Sequence, residues 1–420
     1  MIATSEKNEK VILVAVNTGD GELTARSLDE LEELCDTAGA QTVGKVIQNL
    51  EHFDKATYVG KGKVDEIREL IFVTGATGIV CDDELAPAQM ANLSDALDVK
   101  VMDRTMIILD IFAARASTSE GKIQVELAQL RYRSSRLIGM RSSLSRLGGG
   151  IGTRGPGESK LEMDRRLIHE RIGQLKNSLA SVVSHRELTR SSRKRSNIPV
   201  VAIVGYTNAG KSTLLNTLTG ADVFTEDALF ATLDPTTRGL VLESGQEVLL
   251  TDTVGFISKL PHNLIDAFKS TLEEAIYADM ILHVVDAFNP EADFQMHIVY
   301  ETLDSLGLVD VPIITAFNKY DKHADANGSS PKPISHVCKD FRADRTVNIS
   351  AKTGMGLDEL NDVIEEVLRQ SKIYIDKVFG YDKAGLISLI RKQGQLISEE
   401  YTPEGIAVKA YVPLEIYGKL

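Results

Sequence analysis

The 420-residue sequence contains no tryptophan and only three cysteines, Cys35, Cys81 and Cys338, far apart along the chain. They offer neither a disulfide framework nor the paired ligand spacing of a zinc site, and they read as reduced thiols. Long apolar runs are missing as well: no stretch approaches the ~18–20 residues that a membrane-spanning helix needs. Residues 1–10 are mostly polar and charged, without the apolar centre of a secretory signal peptide. A cytoplasmic protein is the expectation.

What is present is ordinary for a globular chain: 43% hydrophobic and 25% charged residues, over a length that suggests roughly two to four domains. The net charge of −13 is unevenly spread. Residues 131–195 hold 16 Lys/Arg against 5 Asp/Glu, a local +11 that leaves −24 for the rest. Such a segment in an acidic chain points to one focused contact with a polyanion, the plainer alternative being a solvated helical face.

The strongest local signal is Gly205-Tyr206-Thr207-Asn208-Ala209-Gly210-Lys211-Ser212, followed by Thr213. It has the form G-x-x-x-x-G-K-[ST], preceded by the apolar run 198–204 and followed by leucines at helical spacing. Strand, glycine-rich turn and helix form a phosphate cradle. Its N–H groups converge on the anion, Lys211 reaches the β- and γ-phosphates, and Ser212 is a ligand for Mg2+.

Further signals follow in order. The apolar strand 249–250 leads through Thr251 into Asp252-Thr253-Val254-Gly255. An acid there holds Mg2+ through water, and the glycine N–H senses a γ-phosphate. The run 312–317 ends in Asn318-Lys319-Tyr320-Asp321. A carboxylate at Asp321 accepts from guanine N1–H and its exocyclic amine, a donor pair that adenine lacks, and the Lys319 stem covers the base. Ser350-Ala351-Lys352, after the strand 346–349, brings backbone to guanine O6. Between loop and acid, Phe230-Ala231-Thr232-Leu233-Asp234 and the residues to Arg238 offer a threonine for Mg2+; spacing alone leaves Thr232, Thr236 and Thr237 open. These motifs at successive strand ends predict a doubly wound α/β sheet over 197–370 with nucleotide across its C-terminal edge.

The flanking regions read as separate bodies. Residues 1–118 alternate strand signals (10–16, 78–81, 99–102) with helical ones (27–37, 63–73, 86–97, 105–116), a small α/β domain with a largely parallel sheet. Within it, Gly60-Lys61-Gly62-Lys63 lacks P-loop spacing and reads as a turn capping a helix. Residues 119–196 predict a long, basic antiparallel helical hairpin, its second helix reaching about Ser191. The loop between its helices, 147–157, is too rich in glycine to hold one conformation alone. Residues 371–420, with strands at 377–379 and 405–412 and a helix at 384–393, form a small α/β appendage.

The five nucleotide motifs resemble the G1–G5 set of translational GTPases. Longer pieces are more specific: Glu120 to Leu130, Gly149 to Glu158, Leu161-Glu162 with Asp164-Arg165-Arg166, Tyr58 to Lys63, and Phe230 to Asp234 resemble the HflX family of ribosome-associated GTPases. The likeness spans about residues 10–370. Ser159-Lys160 departs from it, where members more often carry a hydroxyl residue and glutamine. The resemblance implies GTP and GDP binding, slow hydrolysis stimulated by ribosomes, and docking on the large subunit. It also implies a glycine-rich loop that approaches rRNA through Gly149, Gly150, Gly152, Arg154, Gly155 and Gly157. Thr232 becomes the Mg2+-binding switch residue, and the catalytic set is Lys211, Thr232, Gly255 and Asn208. Splitting or rescue of stalled ribosomes by a monomer is the implied role, with a GTPase assisting RNA modification or ribosome assembly as the alternative.

One position separates this chain from Ras-type enzymes. Phe256 follows Gly255, and a phenyl ring neither orients water nor accepts a proton, so unassisted turnover is expected to be slow. Asn208 resembles the asparagine of cation-dependent GTPases that use K+; an asparagine that shapes the turn is the equal alternative.

Overall fold

A computed structural model describes residues 9–146, 163, 165–182, 198–220, 229–230, 233–243, 245–261, 274–308, 311–323, 339–370, 372–418 and 420. Two compact units emerge. The first takes Met1–Val182 with Ala228–Phe230 and Ser258–Phe268; the second takes the remainder.

In the first unit, strands β1 (Lys10–Asn17), β2 (Gln41–Asn49), β3 (Gly78–Cys81) and β4 (Lys100–Asp103) alternate with helices α1 (Gly21–Thr37), α2 (Lys61–Thr74), α3 (Pro87–Leu97) and α4 (Arg104–Arg115). The sheet is wholly parallel, in the order β2-β1-β3-β4. The central strand is buried from Val11 to Val16, as the continuous apolar run predicts. Strand β2 was not foreseen: at the sheet edge, with all but Val46 half- or fully exposed, its polar sequence carries no apolar run. Helix α1 starts before the first apolar repeat because Asp20 caps it, accepting from the N–H groups of Glu22 (2.9 Å) and Leu23 (3.2 Å). Gly60 is the N-cap of α2, and the Gln48 side chain accepts its N–H at 2.8 Å. The turn reading of Gly60 to Lys63 therefore agrees with the structure.

Helix α5 (Ser119–Arg146) and a helix over 165–182, α6, belong to this unit. They meet where Arg171 grips both oxygens of Glu126 at 2.7 and 3.0 Å, with Leu175 buried. Tyr132 and Arg136 of α5 both reach Asp103, each at 2.7 Å. The glycine-rich loop and residues 183–191 lie outside the described residues.

A buried charge cluster closes the unit. Arg104, 1% exposed, donates to Asp82 Oδ1 (3.0 Å), Ser27 O (2.8 Å) and Ser258 O (3.2 Å), and pairs with Glu30. Lys259 pairs with Asp82 and, at 3.0 Å, with Asp83. Desolvation raises the Asp82 carboxyl; the adjoining Arg104 and Lys259 charges outweigh it and hold the group below its ordinary range. Ser258 and Lys259 are thus cemented into the first unit.

The second unit contains β5 (Val200–Gly205), α7 (Lys211–Thr219), β6 (Thr236–Val241), β7 (Glu247–Asp252), β8 (Met280–Asp286), α8 (Ala292–Ser305), β9 (Ile313–Asn318), β10 (Arg345–Asn348) and α9 (Leu357–Gln370). The order is β10-β9-β8-β5-β7-β6, parallel except for the antiparallel edge pair β6–β7. From β5 the chain builds outward first through β6 and β7, then on the other side through β8 to β10. The reversal lies at the C-terminal end of β5, where sheets of this kind leave a ligand crevice. Val201, Ile203, Leu250, Leu282, Ile314 and Leu360 are fully buried in one core that fixes the strand ends; each such side chain contributes about 1.5–3 kcal/mol by leaving water.

The C-terminal part of this unit has β11 (Ile373–Phe379), α10 (Ala384–Gln393), β12 (Gln395–Thr402) and β13 (Gly405–Val412), an antiparallel sheet in the order β11-β13-β12. Edge strand β12, polar and interrupted by a register shift at Leu396/Ser398, was not foreseen either. Among the described residues, no helix is long and apolar enough to cross a membrane.

Candidate nucleotide-binding site

The site begins where β5 ends. Gly210 has φ +97, and a Cβ there would stand 2.3 Å from the Asn318 side-chain nitrogen, so both conformation and space demand glycine. Lys211 opens α7 directly after it, and no side chain caps this helix. The N–H groups at such a helix start favour an anion. Tyr206, Thr207 and Ala209 are buried in the loop wall; Asn208 has φ +59 and is exposed, and Thr213 is half-buried in the first turn.

Lys211, 7% exposed, donates to the Tyr206 carbonyl at 2.7 Å. Burial pushes its ammonium down to about 8, partly opposed by the Asp252 charge. Phosphates would add negative charge beside this desolvated ammonium. Ser212 Oγ donates to Asp252 Oδ2 at 2.7 Å across 40 residues, and Asp252 is fully buried at the end of β7. A hydroxyl and a carboxylate are hard oxygen donors suited to Mg2+. Among the described residues no cluster of three His, Cys, Asp or Glu could cage a metal; a cation completed by phosphates and water is what this pair fits.

Beyond Asp252, the Thr253 hydroxyl donates to Ile203 O at 2.8 Å and Val254 is buried. A Cβ on Gly255 would approach Thr207 Cγ2 to 2.9 Å and Lys211 Nζ to 3.0 Å. Phe256 is 2% exposed and zipped to the P-loop: its N–H donates to Gly205 O (3.1 Å), its carbonyl accepts from Thr207 N–H (2.8 Å). Its ring is buried.

At the base end the loops are stitched together. Asn318, 2% exposed, donates to Ala209 O and accepts from Ala351 N–H, both at 2.8 Å. Lys319, at φ +65, donates to Asn208 O at 2.9 Å and pairs with Asp286 at 2.8 Å. Asp321 is held by the Ser350 hydroxyl at 2.7 Å, and Tyr320 N–H donates to Ile349 O at 3.0 Å. Lys352 is exposed. Asp286, which no sequence motif singled out, holds the Lys319 ammonium; the acid that ends the largely apolar strand β8 was the available signal.

Some expected residues fall elsewhere. Ala231, Thr232, and Gly149, Gly150, Gly152, Arg154, Gly155 and Gly157 lie outside the described residues. Phe230 belongs to the first unit, its ring edge-on to Phe112 at 4.7 Å. Leu233 is buried and Asp234 half-buried. Thr236 and Thr237 sit in β6, and Thr237 Oγ1 is 3.0 Å from Thr251 Oγ1 across the hairpin, an engagement within the sheet.

Three family models match in succession: a GTP-binding GTPase N-terminal region over 25–113, a GTP-binding GTPase middle region over 115–193, and a 50S ribosome-binding GTPase over 200–319. The chain is 63% identical over 420 residues to GTPase HflX of Lacrimispora saccharolytica, covering 100% of this chain and 97% of that protein. It is 48% identical to GTPase HflX of Caldanaerobacter subterraneus over 412 residues, covering 98% and 93%. GTPase HflX of Escherichia coli is 41% identical over 364 residues, covering 86% and 84%. A crystal structure of a GTP-binding protein from Sulfolobus solfataricus with GDP matches at TM-score 0.43 and 24% identity, covering 86% of this chain and 99% of that one.

Proposed function

Since the chain belongs to the HflX family of GTPases and hydrolyses GTP to GDP and phosphate, we propose that it is a nucleotide-controlled switch that docks on the large (50S) ribosomal subunit and acts in splitting or rescue of stalled ribosomes under stress. The observation that carries the ribosomal part is the match of residues 200–319 to the 50S ribosome-binding GTPase model. The local +11 of residues 131–195 in an acidic chain supports it, because rRNA is the polyanion such a segment suits.

In this reading the loop 205–212 and Lys211 hold the phosphates, and Asp321 selects guanine while Ser350 orients it. Ser212 and Asp252 hold Mg2+, which supplies charge neutralisation on the phosphates when bound. Thr232 joins them as the switch threonine. Gly255 N–H senses the γ-phosphate, and the chain runs on from there into Ser258 and Lys259, which the first unit holds. A γ-phosphate-dependent shift at Gly255 is thereby passed along three covalent links to the first unit. The glycine-rich loop, through Gly149, Gly150, Gly152, Arg154, Gly155 and Gly157, meets rRNA. The protein works as a cytoplasmic monomer. Asn208 either shapes the turn or, as in cation-dependent GTPases, serves a K+; hydrolysis rates in K+ and Na+ buffers separate the two.

The test is sedimentation with ribosomal subunits in a non-hydrolysable GTP analogue and in GDP, paired with steady-state hydrolysis with and without large subunits. Co-sedimentation with 50S in the analogue and a low rate raised by 50S are expected. Equal, fast rates in both conditions, or association with free tRNA alone, would refute the ribosomal role.

A further inference from the structure

We propose that the Thr207 hydroxyl is a catalytic group of GTP hydrolysis, holding the γ-phosphate and the attacking water where Phe256 cannot. The inference rests on the GTPase activity and not on the ribosomal role.

Thr207 is 6% exposed, and among the described residues its Oγ1 is buried without a hydrogen-bond partner. Leaving a buried hydroxyl unpaired is unfavourable. Valine has the same shape and would avoid that cost. The hydroxyl therefore has its use in a state in which something else occupies the site.

The neighbours identify that state. A point one Cβ out from Gly255 is 2.9 Å from Thr207 Cγ2 and 3.0 Å from Lys211 Nζ. The threonine side chain and the phosphate-binding ammonium thus meet at the glycine whose N–H faces the γ-phosphate. The Thr207 backbone is pinned by its N–H to Phe256 O at 2.8 Å, so only χ1 is left to adjust. One rotation between staggered wells exchanges Oγ1 with the methyl that now points there.

In hydrolysis, the water oxygen bonds to the γ-phosphorus as the bond from phosphorus to the β–γ bridging oxygen breaks. That electron pair stays on GDP, and the water proton ends on the released phosphate. A hydroxyl beside this phosphorus donates to a γ-oxygen and accepts from the water, two functions that a phenyl ring lacks. Thr207 emerges unchanged.

The experiment compares Thr207→Val and Thr207→Ser with the parent, in single turnover at saturating GTP without ribosomes, alongside GDP affinity. Thr207→Val should lower the rate constant about 10- to 100-fold, with GDP affinity within about twofold because GDP has no γ-phosphate. Thr207→Ser should stay within a few-fold of the parent. If valine impairs GDP binding, Thr207→Ala, which only deletes atoms, carries the same expectation. A valine variant that turns over at the parental rate overturns the proposal. So does a serine variant as slow as valine, or a rate loss matched by lost GDP affinity in both valine and alanine variants. A parent that bound no GDP would instead strike at the GTPase reading itself.

Discussion

Replacing Asn318 by alanine should loosen both rims of the nucleotide pocket at once. Its amide joins Ala209, 109 positions away, to Ala351, 33 positions away, through two 2.8 Å bonds, and the side chain is 2% exposed. Alanine removes both bonds and strands a buried carbonyl and a buried N–H. At about 1–3 kcal/mol for each stranded group the change costs about 2–6 kcal/mol, the lower half applying if water fills the vacated volume. In a chain of two units one unfolding free energy is poorly defined, so the local readout is hydrogen exchange at the Ala351 amide. Exchange should accelerate by about 30-fold or more, since each 1.4 kcal/mol is a factor of ten. GDP affinity should fall at least about tenfold, because the fraction of molecules with a formed pocket drops. Asn318→Asp separates the halves: it keeps the acceptor for Ala351 and faces an oxygen toward Ala209 O. It should spare the Ala351 amide and still weaken GDP. Unchanged exchange together with a GDP affinity within twofold of the parent in Asn318→Ala would refute the stitching role.

Other outcomes follow from the same geometry. Ser350→Ala frees the Asp321 carboxylate, and losing one charge-assisted bond of about 1.5–3 kcal/mol should cost about tenfold or more in GDP affinity by calorimetry. Lys211 sits near 8 without nucleotide, against an ordinary 10.5, and phosphates favour its protonated form. GDP binding should therefore take up a proton above pH 8 and weaken by up to about tenfold per pH unit there, while staying flat below. The same depression means that between about 8 and 10.5 the unfolded chain holds the extra proton, so this group's penalty to the empty fold shrinks as pH rises. A GDP affinity independent of pH from 7 to 9.5 would contradict both statements. Arg104→Met leaves Asp82 and Glu30 facing a buried site without their guanidinium, a loss of about 3–5 kcal/mol. It should strip exchange protection from β3 and from the start of α4, and undiminished protection would argue against the cluster's role.

The sequence by itself determined whatever depends on near neighbours. A P-loop needs glycine at set spacings and an apolar run on either side, and Gly205 to Ser212 states this within one short stretch. The central strands and most helices were legible for the same reason, since burial and capping leave periodicity and turn chemistry in local sequence. The edge strands β2 and β12 were not, because their hydrogen bonds come from β1 and β13 rather than from an apolar pattern of their own. The helix α1 start was legible only through Asp20, a cap that precedes the first apolar repeat.

Pairings across distance were decided only by the tertiary structure. Asn318 read as one member of the nucleotide-binding run Asn318 to Asp321, and the fold showed both ends of its amide bonded within the protein. Nothing near Lys319 in sequence names Asp286 as its partner, nor marks Arg104 as the buried centre to which Ser258 is tied. Local sequence sets the conformations that each segment favours; which polar groups then face one another in a buried place follows from how the segments pack, because a buried donor or charge is tolerated only where packing brings its partner.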